Sequence, residues 1–223
     1  MRLIVEQPQH ERPDTKDRIL DAAERMFAQH GFELTSLRAL TTEADVNLAA
    51  VHYHFRSKEG LLEAVLQRLV APVNEERLAL LDALEAHGHP TLEGIIEAFV
   101  APPLRLHAER PHPTALAPLL IGRCLSSPDT QMRTLVMRLF GPVFERFRPA
   151  FGRALPHLPP DEILWRVFFL LGIMTKTMVG GHQLKLFSEG RCDPTCTTES
   201  IPRIVQFVAA GMRAPAFHSE VDA

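Results

Sequence analysis

Residues 47–58, with the sequence NLAAVHYHFRSK, combine amide, imidazole, phenol and cationic groups without a carboxylate. Amide and imidazole groups hydrogen-bond the edges of bases in the major groove, and small apolar side chains contact the methyl group of thymine. Phenols, imidazoles and lysines also bind phosphate oxygens. The segment therefore has the chemistry of a contact with double-stranded nucleic acid, although the net charge of the chain is −3.

The candidate contacts divide by the part of the duplex that their chemistry suits. Base edges would be met by four residues, of which the asparagine and the histidine would bond acceptor atoms: Asn47, Leu48, Ala49 and His52. Phosphates would be held by three residues later in this segment and by two hydroxyl-bearing residues just before the preceding helix. These residues are Tyr53, His54 and Lys58, and Thr35 and Ser36. Arg38 is a further candidate for the groove or its edge. Arg2 and Arg12 in the N-terminal arm could enter the neighbouring minor groove.

Several of these residues also have a plain structural interpretation. Tyr53 could close the small core beneath the motif, and Lys58 could be an ordinary solvated lysine. Asn47 is a helix cap before it is a base contact. His52 and His54 lie two residues apart on a helix and so point to different sides, which argues against a shared metal ion. No metal or other cofactor is expected.

Capping residues and apolar periodicity predict the first helix. It opens near Asp14 or Thr15, either of which could accept from orphan backbone N–H groups, and ends at Gly31 as a left-handed cap. One stripe of the helix is apolar, which predicts that it packs against the next elements. The stripe holds Ile19, Leu20, Ala23, Met26 and Phe27.

The next two predicted helices are short and separated by a tight turn. Thr35 or Ser36 caps the second helix, residues 45–47 form the turn, and Asn47 caps a third helix that runs through Phe55. This pattern is a helix-turn-helix, which lays its second helix in the major groove.

A fourth, longer helix is predicted to start at Ser57, with Glu59 in its first turn. Pro72 should bend this helix rather than end it, because the apolar periodicity resumes afterwards. The bend would separate a half that faces DNA from a half that faces the rest of the protein. The buried stripe is expected to hold Leu61, Leu62, Val65, Leu66, Leu69, Val70 and Val73.

Helical spacing continues over the remaining chain and no long alternation predicts a strand, so the fold class is all-α: a three-helix DNA-binding domain and a larger helical domain. Pro102 and Pro103 should distort the helix that contains them, and Pro142 and Pro149 should kink or end theirs. The stretch 158–186 is apolar on nearly every side and must be covered on more than one side. A later helix is expected to start at Thr91 or the residue before it and to run through Phe99, and further helices are expected at about 114–125, 128–155, 158–186 and 199–213.

The composition is that of a soluble globular protein of 223 residues. The apolar run 167–174 is too short to cross a bilayer, which predicts a cytoplasmic protein without membrane contact. Cys124, Cys192 and Cys196 are few and odd in number, so free thiols are expected instead of disulfides or structural zinc, and their redox role is open.

The first seventy residues closely resemble the N-terminal domain of tetracycline-repressor (TetR) family transcriptional regulators. The resemblance rests on TKDRILDAAERMFAQHGF, TSLRAL, VNLAAVHYHF and SKEGLL, which together fix caps, aromatic positions and a lysine. Where the family commonly has Gly-Thr-Leu-Tyr, this chain has Ala-Ala-Val-His at 49–52, so its base contacts differ. The operator sequence therefore cannot be carried over.

The resemblance implies a homodimeric regulator, most often a repressor, that binds a palindromic operator and is released by a small molecule. Dimers of the family usually form through the last two long helices, here about 160–187 and 199–213. The implied domains are an N-terminal arm (1–14), a DNA-binding domain (15–62), a ligand-binding and dimerisation domain (63–214) and a mobile tail (215–223).

An effector site is expected in the second domain because aromatic residues there could line an apolar cavity. The candidate residues are Phe99, Arg105, Phe140, Phe144, Phe168 and Met174. The C-terminal half faintly resembles family members that respond to fatty acids, acyl thioesters or hydrophobic aromatic acids.

Two alternatives remain at this point. An enzyme would need clustered acid, base or nucleophile groups, and no spacing among its candidates matches a metal or triad motif. Those candidates are His107, His112, Asp129, Asp161, Glu162, His182 and Cys192. The other alternative is a helical protein-interaction module that does not bind DNA, in which the aromatic-rich helices would serve a partner protein.

Overall fold

A computed structural model of the chain describes residues 14–109, 116–125 and 129–217. Within these ranges the regular secondary structure is entirely α-helical, as the periodicity predicted. The described residues fall into two compact units that divide between Val65 and Leu66. The helices are α1 Thr15–His30, α2 Leu37–Glu43, α3 Leu48–Phe55, α4 Lys58–Ala86, α5 Leu92–Glu109, α6 Leu116–Leu125, α7 Thr130–Ala154, α8 Pro160–Phe187 and α9 Thr197–Arg213.

The ends of α1 depart from the prediction. Asp14 occupies the cap position, but its side chain makes no capping hydrogen bond; only its carbonyl accepts, from the N–H of Arg18. Gly31 ends the helix with a positive φ of 86°, and its ψ of 161° lies outside the left-handed helical region. Essentially only glycine adopts that combination of φ and ψ. This backbone conformation therefore explains why a glycine stands at position 31, and the predicted left-handed cap does not.

The N-terminal unit is held together by the stripe of α1 and the inner faces of the two short helices. Leu40 of α2 and Val51 of α3 are fully buried, and Phe55 is nearly so. In α1 the core residues are Ile19, Leu20, Ala22, Ala23, Phe27 and Ala28. Burial of each large aliphatic or aromatic side chain contributes about 1.5–3 kcal/mol. The short α2 and α3 are thus positioned by packing more than by their own helical propensity.

Helices of the second unit continue through their prolines. Pro72 lies inside α4, as predicted, and the whole predicted stripe from Leu61 to Val73 is buried. Pro102 and Pro103 lie inside α5, and Pro142 and Pro149 inside α7. Of the two alternatives for Pro142 and Pro149, an end of the helix was therefore wrong, since packing on both sides of each proline outweighs one lost hydrogen bond.

The core of the second unit is built mainly by α5, α7, α8 and α9, with Phe99, Phe147 and Phe151 fully buried. Arg166 of α8 fastens the end of α9: its guanidinium donates to the carbonyls of Met212 at 2.6 Å and Pro215 at 2.8 Å. A cation at a helix C-terminus satisfies carbonyls that have no partner within the helix. The predicted mobile tail is thus anchored at its first residue.

Helix α8 has two unlike faces. Ile163, Val167, Leu170 and Met174 are buried in the core of their own chain. The opposite face leaves large apolar side chains in solvent, namely Leu164, Trp165, Phe168, Phe169, Val179, Leu184, Leu186 and Phe187. We call these eight residues the open face of α8. Among the described residues, a single chain therefore covers this helix on one side only.

Helix α8 is also long and apolar enough to cross a bilayer, with a mean hydropathy of 1.5 over 18 residues, of which 33% are buried. The prediction from residues 167–174 underestimated this length, because the helix has 28 residues. One such helix is weak evidence for a membrane, since core helices pass the same test.

Some predictions fall on parts of the chain that the structure leaves out. Arg2 and Arg12 lie outside the described residues, as do His112, the predicted start of a helix at 114 and the tail beyond residue 217.

Candidate nucleic-acid interface

Helix α3 presents one face to the core and another to solvent. Val51 and Phe55 point inward and are buried. On the other side, Leu48 is 39% and Tyr53 84% exposed. Ala49 and His52 are exposed as well, and His54 is half-buried with its ring against Tyr53 at 5.0 Å. The four predicted base contacts and the predicted phosphate ligand Tyr53 are thus all accessible from outside.

Caps at the starts of α2, α3 and α4 fix the geometry of the turn. Ser36 accepts from the N–H of Ala39 at 3.1 Å, and the side chain of Asn47 accepts from the N–H of Ala50 at 2.8 Å. Ser57 likewise caps α4 through Gly60. Asn47 keeps its amide N–H₂ as a donor, and Ser36 keeps its hydroxyl hydrogen. These two residues can therefore cap a helix and still offer a donor to a ligand.

Thr35 is a correction to the predicted set. Its side chain is 2% exposed, and its hydroxyl donates to the carbonyl of Gly31 at 2.8 Å. Its backbone N–H donates to Phe32. Neither group is free to meet a phosphate, because both close the loop between α1 and α2. Ser36, the next residue, carries the cap and the exposed hydroxyl.

Lys58 is the first residue of α4, as the predicted anion site requires, yet it folds back on the loop before α2. Its ammonium group donates to the carbonyl of Glu33 at 3.3 Å and lies 4.3 Å from the ring centre of Phe32. An ammonium group has three donors, so two remain for an anion. The contact holds the lysine beside α3 and does not neutralise its charge.

The junction between α3 and α4 depends on a glycine that the sequence analysis did not single out. A Cβ atom at Gly60 would lie 2.3 Å from the carbonyl oxygen of Phe55. Any side chain there would push the end of α3 away from α4. A glycine in the first turn of a helix, three residues after the Ser57 cap, was the available signal, because glycine in a helix usually has a packing reason.

Arg56 and His52 form a closed pair at the C-terminal end of α3. Arg56 has a positive φ of 67°, which is uncommon outside glycine. Its backbone N–H donates to the carbonyl of His52 at 3.1 Å, and its own carbonyl lies 3.0 Å from Nδ1 of the His52 ring. The strained backbone of Arg56 thereby orients the imidazole of the exposed histidine.

Two acids near the motif are paired, and two arginines near it are not. Asp45 in the turn lies 3.5 Å from Arg18, and Glu43 lies 3.0 Å from Arg25. Arg38 and Arg56 are exposed, and within the described ranges neither has a carboxylate at ion-pairing distance. A duplex approaching α3 thus meets two unpaired arginines, while Asp45 and Glu43 are each paired with an arginine of α1.

The predicted effector residues do not converge on one cavity. Phe99 and Met174 are buried, Phe140 and Phe144 are half-buried, and Phe168 is 63% exposed on the open face of α8. The placement of Phe168 corrects the expectation that it lines an interior pocket. Arg105 pairs at the surface with Glu76 and Glu97. A surface groove of about 430 Å³ between α5 and α9 is lined by none of the six.

Phe99 and Met174 meet at a buried cation that the sequence analysis missed. Arg77 is 2% exposed; its Nε–H donates to the carbonyl of Phe99 at 2.8 Å, and its other nitrogens reach Asn74 Oδ1 and Met174 Sδ. Its guanidinium also lies 4.4 Å from the ring centre of Phe99. Burial lowers the pKa of Arg77 to about 9, so it stays charged at neutral pH. No carboxylate among the described residues balances that charge.

The thiols divide into one inert and two accessible groups. Cys124 is buried, and burial raises its pKa to about 11, which makes its thiolate scarce. Cys192 and Cys196 are exposed in the loop between α8 and α9. All three are free, as expected. Within the described residues, no three His, Cys, Asp or Glu side chains gather in a way that could hold a metal ion.

A short exposed helix, positioned by a capped turn and flanked by unpaired arginines, defines a helix-turn-helix protein of the DNA-binding class. Comparison with known proteins then gives the family. The family model described as "Bacterial regulatory proteins, tetR family" matches residues 19–65, and "Tetracyclin repressor-like, C-terminal domain" matches residues 97–211, about half of the chain. The chain belongs to the TetR family of bacterial regulatory proteins.

Curated relatives match shorter stretches of the chain. The chain is 47% identical over 49 residues to a protein named probable transcriptional regulator YttP of Bacillus subtilis, covering 22% of this chain and 24% of that protein. It is 39% identical over 64 residues to the nicotine-responsive transcriptional repressor HdnoR of Paenarthrobacter nicotinovorans, covering 27% and 33%. The chain thus spans a quarter to a third of these relatives.

Solved structures extend the likeness over the whole fold. The fatty acid degradation regulator FadR of Bacillus halodurans superposes with a TM-score of 0.65 at 14% identity, covering 91% of this chain and 98% of that one. AmtR of Mycobacterium smegmatis gives a TM-score of 0.63 at 18% identity, covering 95% and 92%. At such identities the likeness establishes the fold alone.

Proposed function

We propose that this protein is a cytoplasmic homodimeric repressor that binds a palindromic operator through α3 and is released by a small hydrophobic effector. The observation that carries the proposal is the outer face of α3, where base-reading and phosphate-binding groups are exposed beside unpaired arginines. In this proposal Asn47, Leu48, Ala49 and His52 meet base edges. Ser36, Tyr53, His54 and Lys58 hold phosphates, and Arg38 lies at the groove edge.

Dimerisation is supported by the open face of α8. Large apolar side chains are rarely left together in solvent on a monomer, and a second copy of the same surface would cover them. Phe207 of α9 is 71% exposed as well, which favours an interface formed by α8 and α9 of both subunits. A dimer presents two α3 helices about 34 Å apart, or a multiple of that, for successive major grooves on one side of DNA.

The effector proposal is supported by Arg77. A buried guanidinium without a carboxylate partner is complementary to an acid group, and beside Asn74 it contacts the apolar side chains of Phe99 and Met174. A fatty acid, an acyl thioester or an aromatic acid combines these properties. The effector would bind more tightly to a dimer whose α3 helices have the wrong separation for the operator. A preference of about 1–3 kcal/mol for that dimer would be enough to release the operator.

A mobility-shift titration tests the function. The protein should retard DNA from the region that flanks its own coding sequence, and unlabelled competitor DNA of unrelated sequence should not displace it. Raised salt should weaken binding steeply, because phosphate contacts release counterions. Two results would reject operator binding in favour of an interaction module. One is that unrelated competitor DNA displaces the labelled DNA as well as its own sequence does, and the other is that no DNA is retarded.

Phosphate and base contacts should respond differently to substitution. Tyr53→Phe combined with Lys58→Ala should weaken binding to all duplexes by a similar factor of about ten and reduce the dependence on salt. Asn47→Ser, which keeps a cap but removes the amide, should instead change the preferred sequence. Affinities for an operator and for three single-base variants, measured by fluorescence anisotropy, separate the two effects. Identical preference profiles for both variants would contradict this division of roles.

A further inference from the structure

The contact between the His52 ring and the backbone carbonyl of Arg56 determines which ring nitrogen carries the proton. The carbonyl oxygen of Arg56 has lone pairs only, so a contact of 3.0 Å with Nδ1 is a hydrogen bond only if Nδ1 carries the hydrogen. In the neutral ring the other nitrogen, Nε2, then has a lone pair and no hydrogen. His52 is thus fixed as one tautomer before it meets a ligand.

The free nitrogen is available at the surface. His52 is exposed, and among the described residues its ring makes no other hydrogen bond, ion pair or ring contact. Arg56 is held from both sides, because its backbone N–H also donates to the carbonyl of His52. Rotating the imidazole to expose Nδ1 would break the bond that offsets the positive φ of Arg56.

We infer that His52 reads an exocyclic amino group, that of cytosine N4 or adenine N6, through Nε2 as a hydrogen-bond acceptor. This inference rests on the proposed function and deepens it. In the major groove cytosine and adenine present such donors, whereas guanine presents N7 and O6 and thymine presents O4, all acceptors. The residue pattern alone suggested that His52 would meet acceptor atoms, so the Arg56 contact reverses the expected base preference.

The inference predicts the outcome of selection from a randomised operator library in mildly alkaline buffer, where imidazoles are neutral. Wild-type protein should enrich sites in which one position of each half-site is cytosine or adenine, over guanine or thymine, by about fivefold, the effect of one hydrogen bond. His52→Ala should lose the preference at that position and keep the others. His54→Ala is the matched control: it should lower affinity overall and leave the preference at that position intact.

A second measurement examines the tautomer without DNA. Long-range proton–nitrogen correlation spectra of ¹⁵N-labelled protein, with His52 assigned by its absence in His52→Ala, should show a protonated Nδ1 and an unprotonated Nε2. The reverse assignment would overturn the inference whatever the selection gives.

The selection separates this inference from the proposed function. If wild-type protein enriches no sequence, operator binding itself fails, and the inference fails with it. If an operator emerges but the position that depends on His52 is guanine or thymine, or if no position depends on His52, operator binding stands and only the reading by Nε2 is overturned.

Discussion

Trp165→Arg combined with Phe168→Arg is expected to convert the dimer into a monomer and to weaken operator binding by about a hundredfold or more. The two rings are 59% and 63% exposed in a single chain and lie 6.3 Å apart between centres. Arginines there should leave the fold of one subunit intact and place like charges opposite each other across a two-fold axis. A monomer contacts only one half-site. It therefore loses the gain in affinity that comes from joining two binding modules, which is typically a hundredfold or more.

Sedimentation velocity gives the mass of the variant, and an anisotropy titration gives its operator affinity. Met137→Arg is the matched control, because Met137 is 57% exposed but lies on α7, away from the open face of α8. It should remain a dimer with unchanged affinity. Leu171 would be a poorer site for this test, since it is half-buried and packs on its own core. A dimeric double variant would show that the interface lies elsewhere.

Arg77→Ala is expected to lower the free energy of unfolding by about 3–5 kcal/mol, a large part of the total for most domains. The substitution removes a fully buried side chain and leaves a cavity in the second unit. It also strips Phe99 of a hydrogen-bond donor. Pro103, four residues after Phe99, has no N–H, so the carbonyl that Arg77 satisfies has no partner of the usual helical kind.

A double-mutant cycle isolates the hydrogen-bond part of this effect. Pro103→Ala restores an N–H four residues after Phe99 and should recover about 1–2 kcal/mol in the Arg77→Met background. Pro102→Ala is the control, since its new N–H would face Ala98 instead. Urea unfolding followed by circular dichroism measures each free energy. Pro103→Ala could instead change the free energy of unfolding by the same amount with and without Arg77. That result would mean that the guanidinium does not substitute for the missing N–H.

Local chemistry made much of the DNA-binding unit predictable. Asn47 and Ser57 were identified as caps, and Ser36 as one of two candidates beside Thr35, because small polar residues stood directly before apolar periodic segments. All three accept backbone hydrogen bonds as caps do. The inward positions of α4 followed from helical spacing, as did those of α1 except Met26, which is half-buried. These features depend on neighbours a few residues away, which the sequence displays directly.

What could not be predicted depends on contacts between distant segments. Thr35 was assigned to phosphate because a hydroxyl near a helix start suits either role, and only the fold turns it towards Gly31. Arg77 lies in a stretch with acids at 75 and 76, typical of a solvated face, yet packing against α5 and α8 buries it. The proton position on His52 depends on a carbonyl whose direction is set by the unusual φ of Arg56.

The central claim is that α3 occupies the major groove of an operator, and footprinting with dimethyl sulfate tests it most directly. The reagent methylates N7 of guanine, which lies in the major groove. Bound protein should protect guanines in two patches centred about 10–10.5 base pairs apart, or a multiple of that spacing, and Asn47→Ser or His52→Ala should alter protection within the patches. Retarded DNA whose guanine N7 positions remain fully reactive would contradict the claim.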